Sequence, residues 1–365
     1  HYDGFSLSNS TRNDEEPTSL PLNFASRENL VHEGLPIREI PMSHLIETMA
    51  YTGQTPWHEL GNVLPKQQPI DVWAQAAGMQ WHIRETPVRY LATDDDSHLY
   101  GEAMEFPDQK VLYRSDTKAP LSVVSGRYQV VQPQEVLEFY RDLTEVSGYE
   151  LETAGVLKGG RKFWALARTG KSSVLKGTDV VNGYLLLATS CDGTLATTAT
   201  PTTIRVVCNN TLSIALGGTT SAIKVPHSTS FDAQAVKKQL GIAVSQWDSF
   251  MYRMKTLSER KVKSHEAMNY FLKVLCQTDG HIDPVQGLTN ERALKKVQAM
   301  YEGQGRGAEL QAAKGTAWGL LSAVTEFVDH ERRARSQEYR LDSAWFGQGA
   351  ALKQRALDHA LQLAS

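Results

Sequence analysis

The chain has 365 residues, 41% of them apolar and 22% charged, and a formal net charge of −3. Those proportions describe a globular protein able to build one large core or two ordinary ones, and no apolar run approaches the ~18 residues of a membrane span. Cys191, Cys208 and Cys276 lie far apart with no CxxC spacing, so free thiols in a cytoplasmic protein are the simplest expectation, with no structural zinc.

Residues 1–41 set seven acids against three arginines and are rich in Ser, Asn and Pro. Such a segment is too polar to bury much surface and is expected to be a disordered leader or an upstream read-through, with Met42 as the functional start. The rest divides into an N-terminal α+β module (42–130), a basic β-meander core (131–231) and a helical C-terminal region (232–365).

In the first module, Thr55-Pro56-Trp57-His58 marks a loop with one aromatic anchor, and Asp71 to Ala77 reads as a short helix ended by Gly78. Alternating runs follow at 81–84, 87–91, 111–114 and 121–124. They are broken by Asp94-Asp95-Asp96 and by Ser115-Asp116-Thr117-Lys118, which are turn chemistry. A helix is expected from Gln132 or Pro133 to about Glu145. Four strands come next, near 150–157, 161–168, 180–189 and 194–207, joined by tight turns at Gly159-Gly160 and Cys191-Asp192-Gly193. Asn209 or Asn210 then caps a short helix, Thr211 to Leu216. A long helix runs from Ser228 or Ser230 to about Leu257 on one apolar stripe: Val236, Leu240, Trp247, Met254. Further helices are expected at 265–277, 290–301, 315–335 and 349–364, with Asp329-His330-Glu331 on a solvated face. The fold class is α+β: an antiparallel β-meander core flanked by helices, with a helical C-terminal region.

The functional signal is local charge. Between Thr153 and Phe231 eight cations (Lys158, Arg161, Lys162, Arg168, Lys171, Lys176, Arg205, Lys224) face two acids, Asp179 and Asp192. Period-two alternation puts Lys162, Trp164, Leu166 and Arg168 on one face of a strand. A tryptophan flanked by cations on a sheet suits single-stranded nucleic acid, the ring stacking on bases and the cations meeting phosphates. The competing arrangement packs Trp164 and Leu166 under the C-terminal helices. Arg205 adds a guanidinium fork, and Asn209-Asn210 at a helix start would add an anion site. The candidate nucleic-acid-binding set is therefore Lys158, Arg161, Lys162, Trp164, Arg168, Arg205, Asn209 and Asn210.

Catalysis has little to stand on. There is no P-loop and no HExxH, and no cofactor, metal or catalytic residue is expected. One thread, Asp108 with Asp116 and Lys118, imitates the paired acids and lysine of metal-dependent nucleases. Trp57, Trp81 and Trp345 would be anchors if the protein were instead a protein-interaction module.

Several blocks together resemble a known family: Gly53 to His58, Leu151 to Gly155 running into Arg161, Arg205-Val206-Val207-Cys208-Asn209-Asn210-Thr211-Leu212, Gly315 to Gly319 through Thr325 to His330, and Ser343 to Gly347. The chain is similar, from about Met42 onward, to the phage/plasmid-like proteins of domain-of-unknown-function family 932. That resemblance implies a mobile-element context. The element order also resembles the core of single-strand annealing proteins, which implies ATP-independent binding and annealing of single-stranded DNA by a homo-oligomer, with no membrane partner.

Overall fold

The computed structural model describes residues 48–53, 61–93, 101–208, 210–216, 219–220, 222–244, 246–277 and 290–365. The expected leader, the Trp57-His58 pair and Asn209 lie outside them.

The N-terminal elements are strands β1 (Thr48–Tyr51) and β2 (Asn62–Val63), helix α1 (Ile70–Ala76), and strands β3 (Ile83–Ala92), β4 (Glu102–Arg114) and β5 (Pro120–Ser125). Helices α2 (Pro133–Glu138) and α3 (Arg141–Glu145) follow. The α2 start is a capping box: the Gln132 backbone N–H donates to Glu135 Oε2 at 2.6 Å, with Pro133 in the first turn, where its missing N–H costs nothing.

A meander of β6 (Glu150–Leu157), β7 (Lys162–Leu175), β8 (Asp179–Ser190) and β9 (Thr197–Arg205) comes next, then β10 (Asn210–Ser213), β11 (Ala215–Leu216), β12 (Thr219–Thr220) and β13 (Ile223–Val225). The large sheet has the order β10-β9-β8-β7-β6-β1-β2, with β13 also on β9; β1 and β2 are parallel, the other pairs antiparallel. At the β6–β7 turn Gly160 has φ 98°, and a Cβ there would meet the Trp81 ring at 3.0 Å, so only glycine fits. The α+β class read from the sequence is what the structure has.

Three expectations fail here. The helix expected from Gln132 or Pro133 to about Glu145 is interrupted at Phe139-Tyr140 and forms α2 and α3. Thr211 to Leu216 is not a helix. Asn210 to Ser213 pair with Arg205 to Thr202 as a strand, and the Thr211 N–H donates to Asp329 Oδ2 at 2.7 Å. A tertiary partner thus overrides the capping signal of the asparagines. The long helix after Ser228 is two helices, α4 (Ala233–Val244) and α5 (Trp247–Glu259). Val236 and Leu240 bury against one sheet face, whereas Trp247, Phe250, Met251 and Met254 belong to a different core, and one straight rod cannot serve both.

The C-terminal helices are α6 (Ser264–Phe271), α7 (Glu291–Ala299), α8 (Ala317–Glu326), α9 (Gln337–Phe346) and α10 (Gln348–Ala364). Helices α6, α7 and α8 each continue into a π turn, ending at Cys276, Gln304 and Glu331. Helix α9, absent from the expected elements, is capped by Ser336, whose Oγ accepts from Tyr339 N. Its sequence, Gln337 to Phe346, is charged enough to pass for loop.

The sheet is covered on both faces. Phe163, Ala165, Ala167, Leu185 and Leu187 pack with Trp73, Leu112, Leu121, Val136 and Leu240 from α1, β4, β5, α2 and α4. On the reverse, Trp164, Leu166, Tyr184, Leu186 and Ile204 pack with Leu341, Trp345 and Phe346 of α9. A third core joins α5, α6, α7, α8 and α10 to Leu175, Val181 and Leu212.

Helix α8 is fixed to the sheet by polar contacts as well. Asp179, fully buried, accepts from Arg205 Nε at 2.8 Å and Nη2 at 2.7 Å, and from Trp318 Nε1 at 2.9 Å. Removing one partner of such a pair strands a charge in the interior at a cost of about 3–5 kcal/mol. Asp179→Ala is therefore expected to lower unfolding free energy in urea by about that amount; a loss below ~1 kcal/mol would mean the pair is solvated.

Candidate nucleic-acid interface

The proposed cations of the central sheet do not form a cradle. Lys162, 3% exposed, has its ammonium on Asp342 Oδ1 of α9 and 5.0 Å from the centre of the Phe346 ring. Lys158 Nζ reaches the other oxygen of the same carboxylate at 2.7 Å, while its backbone N–H donates to Glu338. One carboxylate from α9 thus engages two of the proposed phosphate ligands and offsets one of their two charges. Trp164 is fully buried, edge-on to Trp345 at 5.0 Å between ring centroids, and no base could reach it. The competing arrangement, with Trp164 and Leu166 under the C-terminal helices, is the one adopted.

Arg205 is likewise interior, at 3% exposure. Besides Asp179 it donates to the Gly307 carbonyl at 3.0 Å and lies 5.7 Å from the Trp318 ring centre. Asn210 is buried, with Nδ2 donating to the Ser322 carbonyl (3.2 Å) and to Thr325 Oγ1 (3.1 Å). It ties strand to helix and opens no helix N-terminus. Arg168 is part exposed, with Nη1 3.9 Å from Glu152 Oε1. Burial raises the Glu152 carboxyl above its usual range, and the Tyr184 hydroxyl donates to it at 2.7 Å.

Of the eight cations, Arg161, Lys171, Lys176 and Lys224 make no ion pair among the described residues. Arg161 and Lys176 flank opposite ends of β7, a strand of 14 residues whose register on β8 breaks between Arg168 and Ser172. No single track holds them.

The other readings are also displaced. Asp116 is clamped by Arg114, with Nε at 3.0 Å and Nη2 at 2.8 Å, which holds its carboxyl below the usual range. Lys118 donates to the Ser115 carbonyl, and Asp108 lies about 20 Å up the strand from Arg114. The nuclease trio does not converge, and no group of three or more His, Cys, Asp or Glu that could hold a metal occurs among the described residues. Trp81 is 5% exposed beneath the Arg114 guanidinium, and Trp345 packs on Trp164, so neither is a surface anchor. Asp329 and His330 are buried rather than solvated. Asp329 accepts from Lys353 Nζ at 2.7 Å and from Thr211, and His330 Nε2 donates to the Cys208 carbonyl at 2.8 Å. Burial pushes the Cys191 and Cys208 thiols up to about 12, which leaves no thiolate nucleophile near neutrality.

Cationic surface also appears in the C-terminal third. A cleft of about 780 Å³ opens between the start of α7, the π turn after α8 and the segment leading to α9. Arg292, Lys296, Arg332 and Arg333 rim it, over a floor of Leu275, Phe327 and Leu352. Its two acids are engaged: Glu331 meets Lys296 at 3.2 Å, and Glu291 meets Lys295 at 2.6 Å. Arg332 donates to Ser343 Oγ and Gln348 Oε1, whereas Arg292 and Arg333 are exposed with no carboxylate partner among the described residues. The sequence signal was available: Arg332, Arg333, Arg335 and Arg340 fall within nine positions.

The architecture is that of an α+β protein whose antiparallel meander is closed on both faces. No helix among the described residues is long and apolar enough to cross a membrane. A protein-family model, "Domain of unknown function (DUF932)", matches residues 120–345, well over half the chain. The chain belongs to that family. The matched range runs from β5 into α9, so it takes in the meander and most of the basic cleft, and leaves outside it Gly53 to His58, Leu352 of the cleft floor and Lys353 of the Asp329 contact. No curated protein and no solved structure matches the chain.

Proposed function

We propose that the protein binds single-stranded nucleic acid without hydrolysing nucleotide, through the C-terminal basic cleft and not through the central sheet. The observation that supports this is the cleft itself: four cations around an apolar floor, two of them with no carboxylate partner among the described residues. Guanidinium groups suit phosphate oxygens, and a floor of Phe327, Leu275 and Leu352 suits the faces of bases. Strand annealing in the cytoplasm, within the recombination machinery of a phage or plasmid, is the fuller form of the proposal. The three free cysteines accord with that compartment.

Fluorescence anisotropy of a labelled oligothymidylate of about 30 nucleotides, titrated with the full chain, tests it. With four phosphate contacts at about −0.7 each, log K against log salt should fall with a slope of roughly −3. Arg292→Glu with Arg333→Glu should weaken binding at least about tenfold. Absence of binding at low salt, or full affinity in that double variant, would overturn the reading.

A second reading, a protein-interaction module, is favoured by the β3–β4 ribbon. Beyond the register shift at Pro87/Val88, Val88 pairs with Phe106 and Tyr90 with Met104, so these four side chains share one ribbon face. Tyr90 is 51% and Phe106 44% exposed, while Arg89 and Glu105 form an ion pair on the opposite face. One-sided patterning on an exposed ribbon with an unpaired β3 edge fits contact with a protein, including a second copy. Tyr90→Glu should then shift the protein to a smaller species in sedimentation velocity; identical sedimentation of wild type and variant as monomers would remove this reading.

A further inference from the structure

Between the sheet and the α9–α10 corner lies a second cavity, of about 360 Å³, that neither the basic cleft nor the ribbon involves. Its origin is steric. The floor is a cross-strand row in register, Leu166 opposite Leu186 and Leu186 opposite Thr200, with Thr198 and Thr202 pointing to the same side of β9. The roof is Ala344, Gly347, Ala350 and Ala351. Short side chains on both walls cannot meet, and a void remains. Trp345 and Phe346 close one side with aromatic surface.

Two charged side chains line the cavity, Lys353 and Lys224, and Lys353 is ion-paired to Asp329 just behind the lining. Lys353, 5% exposed, donates to Thr211 Oγ1 and Asp329 Oδ1, both at 2.7 Å, which uses two of its three N–H groups. The third has no protein acceptor among the described residues. Lys224, exposed on β13, stands at the mouth without an ion pair among those residues. The hydroxyls of Thr200 and Ser213 also line the space and make no hydrogen bond to described protein groups. No carboxylate lines it.

A cavity at the small end of the ~300–1,000 Å³ range of ligand sites, mostly apolar, with one unpaired ammonium on Lys224 and one spare N–H on the Asp329-paired Lys353, favours a small anion over a cation. We propose that it is a binding site for a compact amphipathic monoanion, an aryl or medium-chain alkyl carboxylate or sulfonate. The apolar body lies between the Leu166–Leu186–Thr200 row and the alanine roof, and the anionic head takes the spare Lys353 N–H and the field of Lys224.

The probe is anilinonaphthalene sulfonate, titrated into the full chain and followed by its fluorescence, with decanoate and decanol as competitors. Saturable binding is expected, displaced by decanoate at concentrations where the uncharged decanol displaces little. Ala351→Trp fills the cavity from the helix and Thr200→Phe from the sheet; whichever variant keeps the wild-type circular dichroism and melting profile should lose at least about tenfold in affinity. Lys224→Gln, on the surface and without structural contacts, should lose about two- to fivefold, the worth of one exposed charge contact. Failure of the wild type to bind saturably, equal displacement by decanol, or unchanged affinity in Lys224→Gln and a folded filling variant would each overturn the assignment.

Discussion

The arrangement of this chain turns on buried and half-buried carboxylates whose ion pairs and hydrogen bonds tie the central sheet to the C-terminal helices. Asp179 holds Arg205 and the Trp318 indole, Asp329 holds Lys353 and Thr211, and Asp342 holds Lys158 and Lys162. Taking such charges out of water costs several kcal/mol per ion, recovered only where geometry and added hydrogen bonds are good. Arg205 meets that condition through its paired contacts and the Gly307 carbonyl. These contacts contribute register more than net stability. They specify which helix turn lies over which strand, something apolar packing alone leaves loose.

This organisation inverts the meaning of the local charge. An excess of lysine and arginine on a sheet reads as a surface for polyanions only if the acids that answer it lie in the same stretch of sequence. Here Asp342 lies 180 positions from Lys162. A window of eighty residues therefore misses the carboxylate that holds Lys158 and Lys162 in the folded molecule, while Arg161, Lys171, Lys176 and Lys224 stay without an ion pair among the described residues. Arg292 and Arg333, which stay in solvent at the cleft, sit in a region whose overall balance of acids and bases hides them.

How much of this was legible follows from the range of the forces. Strands β6 to β9, the Gly159-Gly160 turn and the start of α2 at Gln132-Pro133 were readable because alternation, turn glycines and a first-turn proline are local signals. The side assignment on β7, with Lys162, Trp164 and Leu166 together against Phe163, Ala165 and Ala167, was also right. Whether that face was open was not readable, because it depends on α9, whose Gln337-Glu338-Tyr339-Arg340 start carries almost no apolar signal. Strand β10 was mistaken for a helix because Asn210 serves Ser322 and Thr325, partners more than a hundred positions away. The break between α4 and α5 was hidden by a continuous apolar stripe whose two halves enter different cores.

Closed sheet and open cleft can be distinguished in one experiment: hydrogen–deuterium exchange of the full chain with and without an oligothymidylate at low salt. Peptides covering 158–176 and 197–205 should exchange slowly in both states and be unchanged by the oligonucleotide, while peptides covering 290–296 and 331–340 gain protection. Fast exchange across 158–176 in the free protein, or protection arising there on addition of the strand, would contradict an account in which Asp342 and helix α9 seal that face.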